Sequence, residues 1–296
     1  MKTGFANYHP FSQLLFFISV ISSTMLIMNP VILVISMLIS AIYTAYSCGI
    51  KDFIKSLRFT LITSLMIIII NPLISHQGIT VITELPDGNS LTLESILFGV
   101  SAAVMMSSSI RWFFCVNRIF TSDKVIYLFG KISPRLALLI SMTLSFVSKF
   151  SRQMKAVRMA QFSLGKDILA GRMSDRVKNG IKILSTMIQW SLENSIDTAD
   201  SMSSRGYGLK KRTSFSIYRI CFRDMILISA IIVADVYIII GNRKEALDYS
   251  YYPYFEVPLP DLYSFSVYTV FMLLCVIPLY IDIREDGRWK YIRSKI

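Results

Sequence analysis

The sequence predicts an all-α integral membrane protein with about six transmembrane helices and long amphipathic helices on the cytoplasmic side. Three observations carry that expectation. Of 296 residues 53% are hydrophobic and only 17% charged, and the mean hydropathy of +0.54 lies outside the soluble range. The apolar residues gather into six stretches near the ~20 residues that a bilayer core needs. Lys and Arg crowd alternate connections between them, as the positive-inside rule requires.

The spans follow in order. The first runs from about Phe11 to Met28 and the second from about Val31 to Ser47, with Asn29 and Pro30 between them to stop one helix and start the next. Too few charges precede the first span for a cleaved signal peptide, and no small-residue cleavage pattern follows it, so it is expected to be retained. The third covers Leu57 to Ile74. The fourth, about Leu93 to Val116, carries Gly99, Ala103 and Ser107 at four-residue spacing, a small-residue face suited to close helix contact. The fifth covers Met225 to Ile240, and the sixth, about Tyr263 to Ile281, is interrupted near its end by Pro278.

Lys51, Lys55 and Arg58 fall between spans two and three, and about twenty basic residues lie between Arg111 and Arg223. Arg284, Arg288, Lys290, Arg293 and Lys295 fill the tail. The opposite connections are nearly free of them: none occurs from His76 to Thr92, and only Arg243 and Lys244 occur from Gly241 to Leu262. Six spans with both termini cytoplasmic satisfy every connection. The formal charge of +12 is then explained by topology and by anionic membrane lipid, without a nucleic-acid partner. The Tyr-rich segment from Tyr249 to Tyr254, running on to Pro258 and Pro260, is expected at the outer membrane interface, where tyrosines are favoured.

Other classes lose their footing on composition. Aromatic and branched aliphatic residues are too plentiful for disorder. Cys48, Cys115, Cys221 and Cys275 stand far apart without a Cys-x-x-Cys spacing and read as packing residues. His9 and His76 are the two histidines, little material for a metal site or for acid–base catalysis. No catalytic residue, metal or cofactor is expected.

Three segments result: an N-terminal membrane domain of four spans over 1–120, cytoplasmic amphipathic helices over 121–223, and a C-terminal membrane hairpin with its basic tail over 224–296. The middle segment has helical periodicity where a loop would be rich in Gly and Pro. Ser133 and Pro134 form an N-cap and N1 pair, and Leu136, Ile140, Val147, Phe150, Met154 and Val157 follow at spacings near three and four. Lys149, Arg152, Lys155 and Arg158 make the second half cationic, and Gly165 ends it. A second helix is expected from Ser174 as N-cap with Asp175 in its first turn, with a stripe of Val177, Ile181, Leu184, Ile188 and Leu192. It closes on Arg205-Gly206-Tyr207-Gly208, whose glycines can end a helix in a left-handed cap and leave the arginine at an exposed tip. Such an arginine suits a partner carboxylate as well as a lipid headgroup. Lys210, Lys211 and Arg212 then return the chain to the membrane surface.

Asp197 and Asp200, three residues apart, share a helix face and could hold magnesium beside a phosphorylated substrate, as a polyprenyl-type transferase requires; a solvated face is the plainer reading. Asp235 inside span five is costly in lipid and is expected to face a partner, a cavity or a neighbouring helix. A self-sufficient secondary transporter would show inverted repeats and paired broken helices, which the sequence lacks. It has no Gly-rich phosphate-binding Lys-Ser or Lys-Thr motif either, so an ATP-driven role needs separate ATPase chains.

Taken in order, Asn29-Pro30, Ser133-Pro134, Leu144-Ser145-Phe146-Val147, Arg158-Met159-Ala160-Gln161 and Ser204-Arg205-Gly206-Tyr207-Gly208 resemble the T component of energy-coupling factor transporters. The resemblance covers most of the chain. It implies a non-catalytic coupling subunit in the plasma membrane of a prokaryote. Two ATPase subunits and a substrate-binding membrane subunit for a vitamin or transition metal are its implied partners. In that family two coupling helices end in small motifs centred on arginine that sit in grooves of the ATPases. Ser204, Arg205 and Gly206 match the second motif. The first falls on Phe162, Ser163, Leu164 and Gly165, where Leu164 stands in the arginine's place and implies an apolar contact or help from Lys166.

Overall fold

The computed structural model describes residues 4–75, 78–84, 90–165, 172–209, 218–244, 246–253 and 261–295. His76, Lys166, Lys210, Lys211, Arg212 and the outer residues Tyr254, Pro258 and Pro260 lie outside them. The chain is an all-α membrane protein. After a 3-10 turn at Gly4–Asn7 come α1 (Pro10–Leu26), α2 (Pro30–Cys48) and α3 (Ile50–Ile74). A two-stranded antiparallel hairpin, β1 (Val81–Glu84) and β2 (Ser90–Thr92), leads into α4 (Leu93–Ile119) and α5 (Ser122–Ile132). The rest is α6 (Pro134–Ser163), α7 (Met173–Ser204), α8 (Phe222–Arg243) and α9 (Leu262–Arg293).

Five helices, α2, α3, α4, α8 and α9, are long and apolar enough to cross a membrane. The expected first span is instead a 17-residue apolar helix, ~26 Å long, because Asn29 claims the chain for α2. Its side chain accepts from the Val31 amide at 3.0 Å with Pro30 at the first helical position. Two other boundaries differ from expectation. Gly49, at φ +84°, ends α2 and starts α3 in one residue, so α3 begins at Ile50 and Lys51, Lys55 and Arg58 lie on its first turns. Pro278 is buried inside α9 and does not end it; the helix carries the basic residues on to Arg293. The small face of α4 does what its spacing allows. A Cβ on Gly99 would stand 3.3 Å from Asn71 of α3, and the Ser64 and Ser107 hydroxyls meet at 2.5 Å.

Chain contacts define two units, 1–125 with 218–296, and 126–217. In the first, α2, α4 and α9 surround Phe16, Tyr43, Trp112 and Phe271, all fully buried. The Trp112 indole donates to Ser36 Oγ at 3.1 Å and meets Phe16 edge-on. The N-terminal turn is sealed by polar groups: the Phe5 amide donates to Asp282 at 2.7 Å, and the His9 amide to Asp224 at 3.0 Å. Lys124, on the first turn of α5, donates to Ala6 O, Gln13 Oε1 and Ile119 O at 2.8, 2.9 and 3.0 Å. Its three protons meet three acceptors, as a buried ammonium requires.

The second unit is built on α6 and α7, packed along one seam. Trp190 of α7 stacks on Phe146 of α6 with ring centroids 5.9 Å apart, and Ile183 and Met187 are buried.

Candidate functional site

The two ends of the α6–α7 pair are built alike. Each helix finishes on Ser-X-Gly: Ser163-Leu164-Gly165 and Ser204-Arg205-Gly206. The Ser163 hydroxyl donates back to Met159 O at 3.1 Å, and Ser204 to Asp200 O at 2.9 Å. The middle residues are the C-caps, with φ and ψ of −88° and 9° for Leu164 and −83° and 6° for Arg205. The glycines then turn left-handed, at φ +71° and +79°. That region penalises any side chain with a Cβ, so the glycine is what lets the helix stop there.

Their amides close the last turn. Gly165 donates to Phe162 O and Gly206 to Ser203 O, both at 2.9 Å, and Tyr207 reaches Met202 O at 3.0 Å. The bonds at Gly206 and Tyr207 together make a Schellman cap, which satisfies terminal carbonyls and fixes the direction in which the preceding residue projects. Arg205 is exposed on this tip. Leu164 is 67% exposed at the equivalent tip, next to the exposed Phe162. A guanidinium, a fixed fork of donors, is thus offered at one end and an apolar patch at the other.

The faces of α6 and α7 differ from the expected ones. The stripe of Val177, Ile181, Leu184, Ile188 and Leu192 is exposed, and the seam is made by Ile183, Met187 and Trp190. Trp190 stacks on Phe146 and meets Phe150 at a tilt, and such aromatic contacts, with their large apolar area, favour this rotation of α7. On α6, Phe146, Phe150 and Val157 are partly buried while Leu136, Val147 and Met154 are exposed. The expected caps also differ in detail. Arg172 is the N-cap of α7 and Ser174 sits inside its first turn; Ser133 caps α6 by position without a side-chain hydrogen bond.

Asp197 and Asp200 are both exposed on α7, and among the described residues no third carboxylate, histidine or cysteine joins them to make a metal-holding group. Asp235 on α8 accepts from Ser19 Oγ of α1 at 2.5 Å, so this intramembrane carboxylate bonds a neighbouring helix. Sequence reasoning missed α5 and its buried Lys124. Two of that lysine's acceptors are backbone carbonyls, which leave no trace in residue identity; burial pushes its amine down to about 8.

No family model matches the chain. One similar protein is the energy-coupling factor transporter transmembrane protein EcfT of Listeria innocua serovar 6a, 32% identical over 99 residues. That match takes in 33% of this chain and spans 37% of the relative's length.

Proposed function

We propose that this chain is the membrane-embedded coupling subunit of an energy-coupling factor importer. In this reading it binds two separate ATPase subunits through the ends of α6 and α7, and passes their ATP-driven motion to a substrate-binding membrane subunit for a vitamin or transition metal. The observation that carries the reading is the pair of Ser-X-Gly helix ends, similar in cap angles, with Arg205 presented at one of them. The partial likeness to a transporter transmembrane protein supports it. A single helix end with an arginine would serve lipid as well; two matching ends on one rigid pair suit two matching grooves on a pair of ATPases.

The residues then take definite roles. Arg205 makes a forked ion pair with a carboxylate of one ATPase, and Ser204 and Gly206 hold its turn. At the other end Phe162 and Leu164 make an apolar contact, framed by Ser163 and Gly165. The seam at Phe146, Phe150 and Trp190 keeps α6 and α7 moving together, since packed helices transmit displacement. The basic ends of the membrane helices face the cytoplasm of a prokaryotic cell.

The test is Arg205→Glu, which places like charge against the partner carboxylate. Substrate uptake into cells is expected to collapse while the chain still reaches the membrane. Unaltered uptake, with ATPase subunits still co-purifying, would overturn the proposal. The transferase alternative at Asp197 and Asp200 predicts that Asp200→Asn, and not Arg205→Glu, abolishes function.

A further inference from the structure

A cavity of about 940 Å³ opens in the membrane unit where the end of α2, the Gly49 turn, the first turn of α3 and the extension of α9 meet. Its floor holds two buried polar side chains. Asp282 is 1% exposed and Ser47 2%. Oδ1 of Asp282 accepts from the Phe5 amide at 2.7 Å and its carboxylate also interacts with the Tyr43 hydroxyl, while Ser47 interacts with Cys48, so no basic side chain pairs with the Asp282 charge among these contacts. A carboxylate this buried is costly without an opposite charge near it, and a cation beside it relieves that cost. One turn further along α9, Asp286 adds a second carboxylate, exposed and bonded to the Tyr46 hydroxyl at 2.5 Å.

The opposite wall carries the other sign. Lys51 lies in the first turn of α3, whose N-cap is Gly49 and whose leading amides have no side-chain cap. A Cβ built on Gly49 would touch nothing within 4 Å, so this residue borders open space, and Asp52 stands beside Lys51 in the same turn. Free amides at a helix start, with a lysine beside them, favour a phosphate. Lys290 and Arg293 add positive charge farther along α9, and the exposed Ile50 and Trp289 form an apolar lip. Two carboxylates disfavour a purely anionic headgroup, and three basic residues disfavour a simple cation; adjacent walls of opposite sign fit a zwitterion.

We propose that this cavity binds the headgroup of an amine-bearing phospholipid. The phosphate rests on Lys51 and the α3 amides, the ammonium points toward Asp286 and the Asp282 floor, and the acyl chains leave past Ile50 and Trp289. This holds whether or not the chain is a coupling subunit.

The full-length chain, stripped of lipid in detergent, is reconstituted in vesicles of equal phosphatidylethanolamine and phosphatidylglycerol, re-extracted, and its retained lipid measured by native mass spectrometry. Wild type is expected to retain phosphatidylethanolamine over phosphatidylglycerol by roughly fivefold, the worth of one favourable ion pair. Asp286→Asn should bring the ratio to near unity, and Lys51→Glu should lower both lipids. Wild-type melting in lipid-free detergent serves as the folding control. If Asp286→Asn fails it, Tyr46→Phe, which frees Asp286 without removing its charge, should keep the preference. Excess soluble phosphoethanolamine should leave the lipid in place. Equal retention of both lipids by wild type, a ratio that Asp286→Asn does not move, or displacement by the soluble headgroup would overturn the proposal.

Discussion

Gly206→Ala isolates the cap that presents Arg205. Gly206 sits at φ +79°, where a residue with a Cβ loses about 1 kcal/mol or somewhat more. The new Cβ would stand 2.9 Å from Leu209 Cδ1, but that leucine is 74% exposed and its side chain swings aside, so the clash adds little. The cost therefore falls on the last turn alone. The amides of Gly206 and Tyr207 would open about fivefold more often, the factor that ~1 kcal/mol gives at room temperature. Hydrogen exchange of a peptide covering 203–209, read by mass spectrometry on the purified chain, measures it. Exchange should quicken there and stay unchanged at the Ile183–Trp190 seam. Gly206→Asn should cost less, because asparagine tolerates the left-handed region. Unchanged exchange at 203–209, or a change spread over the whole of α7, would refute the argument that glycine is required to shape this tip.

Leu164→Arg recreates at the end of α6 the residue that α7 carries; ATPase co-purification should strengthen if a carboxylate waits in that groove, and unchanged recovery would mean that the groove has become apolar. Lys124→Met leaves the carbonyls of Ala6 and Ile119 and the Gln13 amide oxygen without their donor, and should lower thermal stability by about 2 kcal/mol. The wild-type lysine also adds a pH dependence. Its folded value of about 8 lies below the ordinary 10.5, so between those limits the unfolded chain holds more protons and stability rises with pH. Lys124→Met should flatten that rise, which a melting series from pH 7 to pH 10.5 would reveal. Asp235→Ala removes the bond from Ser19 and should cost about 1 kcal/mol of stability, typical of a bond between membrane helices, without loss of ATPase recovery.

The membrane character and the small-residue face of α4 were legible because lipid imposes length and hydropathy directly on sequence. The tip at Arg205 was legible too, since two glycines two residues apart announce a left-handed turn locally. What escaped was decided at long range. The rotation of α7 depends on Trp190 finding Phe146, and its aliphatic stripe, the stronger periodic signal, stays exposed. Lys124 looked like one more basic residue of a cytoplasmic stretch, yet its acceptor on Gln13 is 111 positions away. The starts of α3 and the end of α9 were misjudged for one reason: charged turns continue a helix beyond the apolar window that reveals it. The pairing of the two helix ends was legible from the resemblance, which set Leu164 where the other end carries Arg205. The similar cap angles then give Leu164 and Arg205 the same place in their helix ends.

The most direct test of the coupling role is a mild-detergent pull-down of the tagged chain from its native membrane, with mass spectrometry of whatever stays bound, run beside Arg205→Glu. Two ATPase chains and a small membrane protein should come down with wild type, and the ATPases should be depleted with the variant. Recovery of the chain alone, or of the same partners from both, would contradict the role assigned to Arg205 and to the α6–α7 pair.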